Sequence, residues 1–350
     1  MSAGADLRLT APGRLTVGEA KPPTAPLGPD EVLVQVDRVT LCGSDQALFD
    51  GTYGGPSGYP LRFGHEWSGL VVDTGSNGRA LLGQWVTGDC SRWCGDCPRC
   101  GTDRNVCARI EKFGLTVDGF STRLRTVDRR YLYPDTHGLG PGLLALSEFF
   151  AVAAQGLERI GPRPDERVLV IGAGALGLAS YLLLTGAYGA GEVELLEADP
   201  VKAAAVRQLL PSARVRTGAP EPDAAARSAG GYAALTAAAR YDLTVDCSSG
   251  ADGLATALAC AVPRGRVLCF GLRRSAALRT DLLVANALTL VGSIGGTGGF
   301  DRAQEFLAGH REEAALLVTH RLPAERAAEA FALDPRTRIK TQLMFGEDAR

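Results

Sequence analysis

Apolar and polar positions alternate through Glu31-Val-Leu-Val-Gln-Val36, and the apolar run from Trp67 to Val72 reads the same way, so both predict strands with one face on a core. Gly and Pro punctuate residues 1–145, which therefore read as β-rich. The pattern changes after Arg167. Strand candidates at 168–171, 193–196, 213–216, 241–246, 266–270 and 288–291 alternate with helical stretches, and strands so spaced predict a doubly wound parallel sheet. The tail, including Ile339-Lys-Thr-Gln-Leu343, predicts a helix and strand that return to the first domain. The expected division is 1–150 with 296–350 in one domain and 151–295 in the other.

Residues 168–191 carry no charge and are long enough to span a bilayer. The strand-like Val168-Leu-Val-Ile171 nevertheless runs into Gly172-Ala-Gly174-Ala-Leu-Gly177, a turn that breaks a spanning helix and starts a βαβ unit. No membrane span is expected. The spacing G-x-G-x-x-G is weak alone in a chain with 44 glycines, but here it follows a strand and opens an apolar helix. Gly172 then makes the tight turn, Gly174 lets a pyrophosphate approach the backbone, and Gly177 permits close helix packing. Glu197 falls at the end of the second strand, where a carboxylate accepts hydrogen bonds from ribose hydroxyls and repels a 2′-phosphate. NAD is the preferred cofactor on this reading. Lys202 could reach a phosphate, so NADP stays open.

The chain of 350 residues, 45% hydrophobic, is long enough for two cores, and a net charge of −2 offers no footprint for nucleic acid. The basic stretch Arg123 to Arg130 alternates with other residues as a solvated strand edge does. Nothing in Met-Ser-Ala-Gly-Ala-Asp resembles a signal peptide, so a cytoplasmic location with reduced thiols is expected. No repeat of 20–50 residues is apparent.

Reduced thiols matter because Cys94, Cys97, Cys100 and Cys107 are separated by two, two and six residues. One loop with such spacers can wrap a zinc ion in a closed all-thiolate site, with Zn–S bonds of roughly 2.3 Å. Cys42, His65 and a distant carboxylate come instead from separate segments, the arrangement that leaves a fourth position open for substrate. Two zinc ions per chain are expected, one structural and one catalytic. Cys247, Cys260 and Cys269 read as inert core thiols.

With both ligand sets and the glycine turn in this order, the chain resembles the zinc-dependent medium-chain alcohol and polyol dehydrogenases over nearly its full length. The resemblance implies a GroES-like β-rich catalytic domain plus a Rossmann domain with a doubly wound parallel sheet, an α/β protein. In Cys42-Gly43-Ser44-Asp45 it implies a zinc thiolate, a proton-relay hydroxyl from Ser44 and, in Asp45, a carboxylate that fixes the tautomer of the ligand His65. Ser147-Glu148-Phe149 looks like the family's Glu-Pro segment, so Glu148 is the implied third ligand, with Glu66 as the substitute. Leu176 and Lys340 join Gly172, Gly174, Gly177, Glu197 and Lys202 as implied cofactor contacts. The sequence departs from the family at Phe149, which replaces the usual Pro, at Ala47, which replaces a relay His, and at the six-residue last spacer, where seven is commoner. These departures imply that protons leave through Ser44 and water, and that the four-thiol site is slightly rearranged around the extra Cys90.

Within the family, Gly58-Tyr-Pro-Leu-Arg-Phe-Gly-His-Glu-Trp-Ser-Gly69 looks most like 2-deoxy-scyllo-inosamine dehydrogenases of aminoglycoside antibiotic pathways. The implied substrate is a secondary alcohol or ketone on an aminocyclitol or amino sugar. Tyr53, Trp67, Gln155 and Asp50 are the pocket candidates. Alternatives are a ketoreductase acting on an oxo-pseudodisaccharide, a sorbitol- or threonine-type dehydrogenase, and a non-catalytic nucleotide-binding module. A homodimer or homotetramer is expected through the sheet edge at 287–294.

Overall fold

The structure is a computed structural model that describes residues 4–221, 223–271 and 278–346, without the side chains of 226, 229 and 233. Two compact units divide the chain: Met1–Ala151 with Gly295–Arg350, and Val152–Ile294.

The first unit is built around the strand Glu31–Thr40, whose apolar alternation buries Val32, Val34, Val36 and Val39. It pairs antiparallel with Glu66–Thr74 and with Leu124–Asp128, and bulges between Leu33 and Val34 and between Val36 and Arg38 bend the ladder. The sheet continues through Trp85–Gly88 to Leu132–Pro134 on one side. On the other side the C-terminal strand Lys340–Met344 lies antiparallel to Glu31–Thr40 and parallel to Val318–Pro323. The tail thus returns to the first unit as the sequence predicts. Leu7, Leu9, Phe63, Trp67 and Phe120 are among the residues that fill this core. Trp67 was a pocket candidate; the structure instead stacks it on Phe120 at 3.9 Å between ring centroids, fully buried, because an indole on the core face of a strand gains most from apolar contact.

Among the described residues the second unit holds six strands, all parallel, in the spatial order Arg214–Arg216, Glu192–Leu196, Arg167–Ile171, Tyr241–Asp246, Ala261–Cys269 and Thr289–Gly292. In chain order this is 3-2-1-4-5-6, the doubly wound arrangement whose strand order reverses between the first and fourth strands. The fifth strand starts at Ala261, earlier than the expected 266, through an irregular stretch in which Arg264 takes a φ of 63°. The run 168–191 resolves into a strand, a glycine turn and the helix Ala175–Gly186. Among the described residues no helix is long and apolar enough to cross a membrane.

Candidate metal centres and dinucleotide cavity

Four sulfurs converge in the first unit. Short 3-10 turns at Pro98–Gly101 and Arg104–Val106 fold the loop back on itself, the second capped by Asp103, which accepts from Asn105 N at 2.8 Å. The Sγ–Sγ separations are 3.8 Å for Cys94–Cys100, 3.5 Å for Cys97–Cys100, 3.9 Å for Cys97–Cys107 and 3.4 Å for Cys94–Cys107. Thiolates at the corners of a tetrahedron around zinc stand about 3.8 Å apart, whereas a disulfide needs about 2.05 Å, so the spacing fits the metal and not a crosslink. Backbone N–H groups of Cys94 and Arg109 donate to Cys107 Sγ, and that of Ala108 donates to Cys97 Sγ. The Ala108 amide leads the contacts that pull the Cys97 thiol down to about 6. The six-residue spacer is absorbed by the Arg104–Val106 turn, and Cys90 stays in the core outside the four-thiol group.

The second ligand set is buried at one end of the same sheet. Cys42 is the N-cap of the helix Gly43–Phe49, and its N–H donates to Asp45 Oδ2 at 2.8 Å. Asp45 Oδ1 accepts from Gly64 N at 3.0 Å, so one fully buried carboxylate clasps the segment before Cys42 to the segment before His65. This corrects the expected tautomer-fixing role. Asp45 Oδ1 lies 3.8 Å from His65 Nδ1, beyond hydrogen-bond reach, while two backbone donors hold the carboxylate where it is. His65 Nδ1 is left buried without a partner, and Ser44 Oγ lies 3.4 Å from His65 Nε2.

Cys42, His65 and Glu66 bring ligand atoms within 4.8 Å of one another, a triple that does not include Glu148. Glu148, on the first turn of the helix Ser147–Ile160, is nonetheless 5% exposed and faces the same charges. Burial pushes its carboxyl up to about 8; His65 opposes that rise, and Glu66 and Cys42 add to it. Burial, then Glu66, likewise pushes the Cys42 thiol up to about 11. The Cys42 thiol and the Glu148 carboxyl, beside an imidazole nitrogen without a partner, form among the described residues a donor set with no cation of its own, since the ammonium of Lys340 pairs with Glu66. A zinc ion fits it.

Lys340 has another place than the cofactor contact inferred for it. It is 2% exposed in the first unit, its ammonium 2.5 Å from both oxygens of Glu66, because a buried ammonium must take the carboxylate within reach.

In the second unit a cavity of about 400 Å³ opens at the carboxyl ends of the first and fourth strands, lined by Gly172, Gly174, Glu197, Lys202, Ser248 and Thr256 among others. Gly172 has a φ of 91°, and a Cβ on Gly177 would stand 1.8 Å from Gly172 O, so both positions require glycine. Gly174 caps the helix Ala175–Gly186, and Leu176 sits in that helix's first turn. Glu197 accepts from Ala173 N at 3.0 Å and Asp199 N at 3.1 Å, so it also braces the turn. Lys202 Nζ lies 3.9 Å from where a Gly174 Cβ would be, over the N-terminus of that helix. The lining at 248–256 was missed from sequence. Its signal was available: small and polar residues directly after the fourth strand, at the point where strand order reverses.

Residues 28–137 match the family described as alcohol dehydrogenase GroES-like domain. Scyllo-inosose 3-dehydrogenase of Thermotoga maritima is 30% identical over 204 residues, covering 52% of this chain and 51% of that protein. The chain spans about half the length of the first curated relatives it matches. L-arabinitol 4-dehydrogenase of Talaromyces emersonii is 28% identical over 363 residues, covering 95% of this chain and 91% of that one. Among solved structures, the short chain alcohol dehydrogenase rspB of E. coli CFT073, complexed with NADH, shares the fold with a TM-score of 0.86 at 22% identity, over 99% of this chain and 100% of that one. These matches show a GroES-like alcohol dehydrogenase domain over residues 28–137 and a fold shared with solved alcohol dehydrogenases, and the chain is similar to polyol dehydrogenases that carry it.

Proposed function

We propose that the protein is a zinc-dependent NAD(P) oxidoreductase acting on a secondary alcohol, or the matching ketone, of a cyclitol or polyol. The observation that carries this reading is the cluster of Cys42, His65 and Glu66, with the buried Glu148 carboxyl interacting with it and an imidazole nitrogen left without a partner. Cys42, His65 and Glu148 would hold the catalytic zinc, the four thiols the structural one, and the 172–177 turn with Glu197 and Lys202 the dinucleotide. When bound, zinc supplies Lewis acidity that lowers the pKa of the substrate hydroxyl, and the nicotinamide supplies the hydride acceptor. Ser44 Oγ, half-buried beside His65, takes the proton of that hydroxyl and passes it to water, since Ala47 offers no second relay group. Asp45 keeps the Cys42 and Gly64 segments in register, so that ligands from two elements meet without reorganisation.

Within that class the proposed substrate carries an amino group on a cyclitol or amino-sugar ring, as in an aminoglycoside precursor. The Gly-His-Glu-Trp-Ser-Gly segment supports it, as does a relative named for a cyclitol substrate. Tyr53 is half-buried; burial, then Cys90 and Cys42, pushes its phenol up, which puts it near the ligand set. The test compares kcat/KM for 2-deoxy-scyllo-inosamine, an oxidised pseudodisaccharide, sorbitol, threonine and ethanol with both cofactors. The aminocyclitol is expected to lead; an unaminated polyol ahead by about tenfold or more, a 1.4 kcal/mol preference, sinks the finer assignment and leaves the dehydrogenase standing. No turnover of any alcohol would favour the non-catalytic module.

NAD is the proposed partner of Glu197. In the Glu197→Ser variant, the ratio of NAD to NADP kcat/KM should fall by about 10–100-fold, the value of hydrogen bonds to a charged acceptor plus a lost repulsion. Thermal stability should also drop, because Ala173 N and Asp199 N lose their acceptor. A wild type that already prefers NADP would refute the role of this residue.

The strand Thr289–Gly292 ends the six-stranded sheet, and Val284 and Ile294 beside it are 77% and 48% exposed. An apolar open edge of this kind pairs with its twin across a two-fold axis. Sedimentation at micromolar concentration should show a dimer or a dimer of dimers, and Ile294→Asp should dissociate it; a monomeric wild type counts against the pairing.

A further inference from the structure

Glu66 and Lys340 begin two strands that flank Glu31–Thr40; Glu66 pairs with Thr40, and Gln342 pairs with it from the other side, which puts Lys340 two residues beyond the end of the central strand. Lys340 reaches past the end of that central strand. Its Nζ meets both Glu66 oxygens at 2.5 Å and Leu41 O at 3.5 Å, and it stands 4.4 Å from the centroid of the Phe149 ring. Phe149 directly follows Glu148 on the helix Ser147–Ile160. One turn of one helix therefore carries a buried carboxyl that interacts electrostatically with His65 and Cys42 and an aromatic face for Lys340.

We propose that Lys340, seated on the Phe149 ring, is a positioning residue that holds Glu66 off the metal, leaving Glu148 as the third protein ligand and the fourth position open. The inference rests on the zinc reading of Cys42 and His65 given above. Glu66 has ligand atoms within 4.8 Å of Cys42 and His65, so distance alone does not keep it away. Its partner does. Both members of the pair are buried, 2% and 0% exposed, so moving Glu66 onto the metal would strand an ammonium where no water can replace the lost contact. The Phe149 face adds a cation–π attraction that strengthens with burial and fixes the ammonium against drift. Without Lys340, Glu66 becomes an extra anionic donor and the site closes to four protein ligands, as a structural zinc site does.

The test uses the full-length protein loaded with cobalt(II), which reports coordination by its absorption bands, with zinc affinity measured by chelator competition and kcat and KM read separately. Glu148→Gln should weaken zinc at this site by about 100-fold, while Glu66→Gln should change it by less than about threefold. Lys340→Met should tighten zinc by about tenfold, shift the cobalt bands toward higher coordination and lower kcat with little change in KM, and Lys340→Arg should restore the wild-type spectrum. In the Lys340→Met background the loss caused by Glu148→Gln should shrink, because Glu66 takes its place. Lys340→Met leaves a buried carboxylate without its cation and can fail to fold, in which case Glu66→Gln against Glu148→Gln decides alone. Glu66→Gln as damaging as Glu148→Gln, or a Lys340→Met protein with wild-type bands and affinity, overturns the inference while the zinc reading survives. A wild type that takes up cobalt only at the four thiols overturns both.

Discussion

Replacing His65 or Cys42 with Ala should lower kcat/KM by about 10⁴-fold or more, because the loss of roughly 5 kcal/mol of Lewis-acid stabilisation falls on the transition state. The bound zinc should drop from roughly two equivalents to one, the remaining ion being held by thiols that share no residue with this set. Folding should be little affected. The clasp that joins the two segments uses Asp45 and the backbone of Cys42 and Gly64, so neither substitution removes it. His65→Ala also relieves a buried nitrogen that has no partner, which offsets part of the lost packing. Metal analysis, far-UV circular dichroism and initial rates on the two variants check this together. Full activity in either variant, or in a metal-free preparation, would sink the mechanism.

Features that local sequence must encode were legible before the structure. The central strands of the parallel sheet, Arg167–Ile171 above all, announce themselves because strands buried on both faces are largely apolar, whereas Arg214–Arg216 at the edge does not. Gly172 and Gly177 were readable because no other residue fits a φ of 91° or a carbonyl at 1.8 Å. The four thiols were readable from spacing, and their convergence needs only one loop. Less legible is anything that depends on which distant side chain arrives first. Asp45 sits one turn from Cys42 and 20 residues from His65, and sequence order does not say that backbone donors will hold it short of the imidazole. Lys340 meets Glu66 across 274 positions of chain, and only the pairing of both strands with Thr40 brings them to the same end of the sheet. Trp67 looked like a pocket wall because it neighbours a ligand; the strand's alternation turns it to the core. Phe149, a departure from the family pattern in sequence, becomes intelligible once a buried ammonium is found over its ring.

Cys97→Ser or Cys100→Ser should cost stability before it costs chemistry. The loop has little apolar filling of its own: Cys94, Cys97 and Cys100 are half-buried, Arg109 and Asp96 pair in solvent, and metal binding is the main term that orders it. Removing one thiol should lose about 3–5 kcal/mol, as the loss of a structural crosslink does, and lower Tm by about 10 °C for a unit of this size. The effect should then spread by a defined route. Asn105, inside the loop, donates through Nδ2 to Thr297 O at 3.0 Å and accepts from Thr297 N at 3.1 Å, while Thr297 Oγ1 donates to the buried Asp89. A Cβ on Gly295 would stand 2.2 Å from Asn105 Oδ1, so the loop presses directly on the segment where the chain re-enters the first unit. Hydrogen exchange should therefore rise first at 94–107 and next at 295–297, with the strand Glu31–Thr40 still protected. Limited proteolysis should cut within the loop while initial rates, measured at once after purification, stay within about threefold of wild type because the Cys42 set is intact. A thiol variant that keeps two zinc equivalents, its Tm and its protection at 94–107 would show that the four sulfurs are packed together for some reason other than a metal.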